Sequence, residues 1–176
     1  MNDDTAAAKE SHIDNRHLFR QLLVQRLYKE DYIQTNKLKK DKEVVADEPD
    51  FLEDLELEHL SGKLNRKLRR HLQDADDIIE GIRSSQNEID TWIQELAPEW
   101  PLDKINPVDL EIMRLAIYEG FIGKLIPARV AIDEAIELAR DFGTESDVKF
   151  VSGVLGNLYN KDEFKESKEE DEDSKI

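Results

Sequence analysis

From residue 107 to residue 159 the apolar positions recur at three- and four-residue intervals, the spacing of one face of a helix. Two interruptions divide this stretch into three helices. Asn106-Pro107 opens the first: Asn caps a helix well, and Pro suits the first helical position because its missing N–H is not needed there. Asp109, at the third helical position, is placed to answer the exposed backbone donors. Pro127 opens the second helix, and Gly143 is expected to stop it as a left-handed C′ residue. Ser146 is the expected N-cap of the third. Ala131, Ala135, Leu138, Ala139 and Phe142 form one apolar stripe, and Phe150, Val151, Val154, Leu155 and Leu158 another. Short connections imply that the three helices pack together, with Gly153 read as a point of close approach.

The rest of the chain repeats this pattern more loosely. A helix is predicted from Asn15 to Ile33, with Phe19, Leu22, Leu23 and Leu27 on its apolar face and Leu18 at the margin. His17, Gln21, Gln25 and Tyr28 fall on the other side, and Arg16 and Arg20 lie at the edge of the stripe near the helix start. Residues 34–49 read as a linker ending at Pro49. Residues 51–83 read as helical, carrying Leu52, Leu55, Leu60, Leu64, Leu68 and Leu72 and then Ile78, Ile79 and Ile82. A further helix over residues 86–97 presents Ile89, Trp92, Ile93 and Leu96 and is broken by Pro98 and Pro101. No strand alternation and no internal repeat stands out. The pattern predicts an all-α bundle of roughly six to eight helices over residues 13–160. Polar, charge-rich segments at 1–12 and 161–176 are expected to be disordered tails.

Composition narrows the function. The chain has 176 residues and a net charge of −16. Residues 161–176 hold four lysines and eight acids, so −12 remains on residues 1–160. Any nucleic-acid site must therefore be a local basic patch on an acidic body, because phosphate binding is driven by Lys and Arg. There is no cysteine, which excludes disulfides, thiolate ligands and thiol nucleophiles. No apolar run approaches the length needed to span a bilayer, and MNDDTAAAKESHIDNR lacks the features of a secretory signal, so a cytoplasmic protein without membrane contact is expected. His12, His17, His59 and His71 show no metal-ligand spacing. There is no glycine-rich phosphate loop and no nucleophile elbow. We expect no enzyme activity, no cofactor, no metal and no small-molecule substrate.

The order of residues carries more than the periodicity. MRLAIYE (113–119), IPARVAIDEAIELARDFG (126–143) and KFVSGVL (149–155) closely resemble the C-terminal half of the NusB family over about fifty residues with intact spacing. Arg16-His17-Leu18-Phe19-Arg20, followed by Val24-Gln25-Arg26-Leu27-Tyr28, resembles the family's arginine-rich first helix and its Leu-Tyr pair. The resemblance implies a bundle of two packed helical subdomains. It implies binding of boxA-like single-stranded RNA together with a NusE-type small-subunit ribosomal protein. Through them the chain would join the RNA polymerase antitermination complex indirectly, in support of ribosomal RNA transcription.

By this resemblance the RNA contacts are Arg16, His17, Arg20, Arg26 and Tyr28 on the first helix, with Lys149, Phe150 and Ser152 on the last. Arginine forks hold phosphates or base edges, and a tyrosine can stack on an unpaired base. Ser152 stands where the family pattern has Asn. Asp109, with Glu111 and Glu119, is the expected face for the basic ribosomal protein. A further basic patch, Lys63, Arg66, Lys67 and Arg70, has no family counterpart and shares one helical face by its spacing. The competing reading is a protein-only interaction adaptor that keeps the fold and has lost sequence-specific RNA binding. NusB-like domains also occur fused to RNA cytosine methyltransferases, but that chemistry needs a catalytic cysteine, which this chain lacks.

Overall fold

Helix α4 (Pro107–Ile117) is the axis of the fold: every residue from Asp109 to Ile117 is buried. A helix covered on all sides needs neighbours on all sides. They are supplied by α1 (Asn15–Lys40), α3 (Gln86–Leu96), α5 (Ala128–Phe142) and α6 (Glu145–Tyr159), with α2 (Arg66–Ser84) packed on α1 and α3. This computed structural model describes residues 15–40 and 66–161, and side chains from 16–35 and 74–161. Among the described residues all regular structure is helical. The expected tail at 1–12 and residues 162–176 of the other tail lie outside these limits. So do residues 41–49 of the expected linker and residues 51–65 of the expected middle helix, Lys63 among them.

The apolar stripes read from the sequence meet along α4. Leu23 and Leu27 of α1, Ile89 and Ile93 of α3, Leu138 of α5 and Leu155 and Leu158 of α6 are all at most 2% exposed. Burying side chains of this size contributes roughly 1.5–3 kcal/mol each relative to exposure. Helix α1 runs on to Lys40, so residues 34–40, expected in the linker, are helical. Its buried apolar set is Phe19, Leu23, Val24 and Leu27, while Leu18 and Leu22 are half-buried.

The start of α4 is as expected: Asn106 Oδ1 accepts the Val108 N–H at 3.0 Å. Pro127 precedes α5 directly, and two of the remaining boundary signals differ in detail. Gly143 is extended (φ −131°, ψ −160°), not left-handed. A glycine is still needed there, because a Cβ would lie 2.8 Å from Asp147 Oδ2 and 3.0 Å from the Ala139 carbonyl. Thr144, not Ser146, caps α6: the Asp147 carboxylate accepts its N–H and hydroxyl at 2.6 and 2.8 Å, closing a capping box. Phe142 lies at the rim of its stripe, 36% exposed. Gly153 is exposed and a Cβ there would touch nothing, so it is not a point of close helix approach.

Between α4 and α5 the chain widens into a single π-turn, Tyr118–Ile122. The Glu119 carbonyl accepts the N–H groups of Leu125 and Ile126 at 2.8 and 3.3 Å, and Lys124 turns the corner at φ 48°. Gly120 lets this turn press on α5, where a Cβ would approach Ala131 Cβ to 2.9 Å.

Candidate nucleic-acid interface

Helix α1 is fastened to α5 at its beginning. His17 Nε2 lies 2.7 Å from Asp141 Oδ2, and Nδ1 lies 3.1 Å from Glu134 Oε2. Gln21 Nε2 donates to the same Asp141 oxygen at 2.6 Å. Asp141 stands three residues before Thr144, the cap of α6. The start of α1 therefore lies along the later turns of α5, and α6 begins just beyond them, at Glu145. Of the two expected RNA-contact segments, 16–28 lies on α1 and 149–152 on α6.

The expected contact side chains are not equally exposed. Arg16 is exposed, whereas Arg20 is buried. Arg20 Nε donates to Glu119 Oε2 at 2.8 Å, and its Nη1 lies 3.6 Å from Glu134 Oε2. Arg20, expected to face RNA, is thus turned inward and engaged in an internal ion pair. His17 sits between two carboxylates: partial burial works to lower its pKa, but the bonds to Asp141 and Glu134 outweigh that and raise it. Arg26 is exposed and holds Asp76 and Glu30 at 2.6 and 3.1 Å. Tyr28 packs at a tilt on Tyr32, with ring centroids 6.3 Å apart.

On α6, Lys149 is exposed and pairs with Glu145 at 2.7 Å. An exposed pair of this kind is weak and can exchange for a phosphate. Phe150 is half-buried and meets Trp100 edge-on, with ring centroids 6.0 Å apart and planes at 67°. Trp100 is 52% exposed, and the sequence pattern gave it no role in the site. Ser152 is half-buried. Of the further basic patch, Arg66, Lys67 and Arg70 lie on the first turns of α2, and Lys63 lies outside the described residues.

The three residues of the expected acidic face lie in the interior. Asp109, Glu111 and Glu119 are 2%, 2% and 4% exposed, so none offers its carboxylate to a partner at the surface. Burial, reinforced by Asp147, pushes the Asp109 carboxyl up to about 7. Glu119 is raised by burial while Arg20 acts against it. Exposed acids remain on α5 at Asp133, Glu137 and Asp141. Their signal in the sequence is their spacing of four residues, which places them along one side of the helix.

Comparison with known proteins accords with this architecture. A sequence model of the NusB family matches residues 17–160. The transcription antitermination protein NusB of Desulforudis audaxviator is 42% identical over 84 residues, covering 48% of this chain and 61% of that protein. That of Listeria innocua is 33% identical over 109 residues, covering 59% of this chain and 84% of the relative. For three such relatives the chain spans less than two thirds of their own length, at 61%, 65% and 62%. A solved structure of Thermotoga maritima NusB superposes with a TM-score of 0.60 at 31% identity, covering 88% of this chain and 96% of that one.

Proposed function

The chain belongs to the NusB family, and on that premise we propose that it acts in transcription antitermination by binding boxA-like single-stranded RNA together with a NusE-type ribosomal protein. The observation that carries this reading is the His17–Asp141 contact, which fixes the start of α1 against the end of α5, three residues before the Thr144 cap of α6. Arg16 and Lys149 then supply charge, and Phe150 with Trp100 supplies aromatic surface for an unpaired base. The exposed acids of α5 suit a basic protein partner. Neither contact has to be strong by itself, because two coupled weak contacts reinforce each other.

The test is binding of the purified chain to a boxA-like strand and to a scrambled strand, with and without the ribosomal protein. Selective binding that tightens with the partner supports the reading. Partner binding without RNA selectivity favours the protein-only adaptor, a reading that the burial of Arg20 and the net charge of −16 support.

A further inference from the structure

Where α1, α2, α3 and α4 meet, two arginines face three acids. Arg114, 5% exposed, holds both oxygens of Asp90 at 2.8 Å, Asp31 Oδ2 at 2.8 Å and Glu111 Oε1 at 2.6 Å. Arg83 Nη1 holds Asp31 Oδ1 at 2.7 Å, and its Nη2 donates to the Leu27 carbonyl at 3.2 Å. Glu30 stands at the outer edge, 3.7 Å from Arg83 and 3.1 Å from Arg26. With every acid ionised the inner group has an excess of negative charge.

Glu111 is the acid least able to carry that charge. Its Oε2 is buried and has no hydrogen-bond partner. Asp31 is anchored by two guanidinium groups and Asp90 by a bidentate pair, whereas Glu111 has one contact to Arg114. Glu111 Oε1 and Asp31 Oδ2 share the Nη1 of Arg114, at 2.6 and 2.8 Å, so two carboxyl groups crowd one donor. A proton on Oε2 would remove the charge from this unsatisfied oxygen and balance two arginines with two carboxylates.

We propose that Glu111 holds a proton in the folded chain, beside the Asp31 carboxylate, making the α1–α4 junction a proton-linked latch. The groups acting on Glu111 are Asp31 of α1, Arg83 of α2 and Arg114 of α4, with Asp90 of α3 held through Arg114. Burial and Asp31 raise its carboxyl to about 8, against the pull of Arg114.

The test has two readings on the full chain. The Glu111 side-chain carboxyl is followed by carbon-13 NMR from pH 4 to 9, assigned through its backbone. A midpoint above about pH 6 supports the proposal, since ordinary glutamates fall well below it; a midpoint at or below that overturns it. Thermal unfolding of wild type and Glu111→Gln is then compared over the same range. A glutamine is uncharged at every pH, so its Tm advantage should grow as pH rises. Parallel curves overturn the latch. If Glu111→Gln does not fold, the wild-type titration decides.

Discussion

Arg20 and Glu119 form a buried ion pair across 99 residues of sequence, with Nε 2.8 Å from Oε2 and side chains 8% and 5% exposed. It fastens α1 to the turn after α4. Removing one partner leaves an uncompensated buried charge. Arg20→Ala should therefore cost about 3–5 kcal/mol, whereas replacing both residues by apolar side chains of similar volume should cost much less. Urea denaturation of the two variants measures the difference.

His17 makes the first contact of α1 with α5 sensitive to pH. Its pKa is raised in the folded chain, so its contribution is fully present below the unfolded value of 6.5 and is lost as pH rises through the folded value. The Tm of wild type minus that of His17→Gln should fall over this interval. A difference that stays constant from pH 5 to 9 would count against the contact.

Asp109 titrates in the same direction. Its folded value is about 7 against 3.8, so stability falls as pH rises between those values. Asp109→Asn should reduce that loss, read as a flatter Tm against pH.

Gly81 is set by a neighbour. A Cβ there would lie 2.0 Å from Tyr118 Oη. Gly81→Ala should destabilise by about 1–3 kcal/mol through overpacking. The cost should shrink in a Tyr118→Leu background, as a double-mutant cycle would show.

If Arg16 and Lys149 each neutralise one RNA phosphate, changing either to Gln should lower the salt slope of RNA binding by about 0.7. Filter binding at several salt concentrations measures this. Arg20→Lys, at a buried position, should leave the slope unchanged.

The helices were legible where a local signal marked them. Asn106-Pro107, Pro127 and Gly143 marked three boundaries correctly, and the periodic stripes marked most of the core. The error over Ser146 arose because Thr144 lies two residues earlier and its box is completed by Asp147. The candidate site was less legible. Arg20 lies at the edge of a stripe in sequence, and only the approach of Glu119 turns it inward.

The helical class, the main apolar faces and the resemblance to one family could all be read from the chain alone, because each depends on residues close together in it. Which charges are available could not. Asp109, Glu111, Glu119 and Arg20 are expected at binding faces from the family resemblance, and packing against distant helices buries all of them. Burial is a property of the neighbours that long-range folding brings, and local spacing carries no record of them.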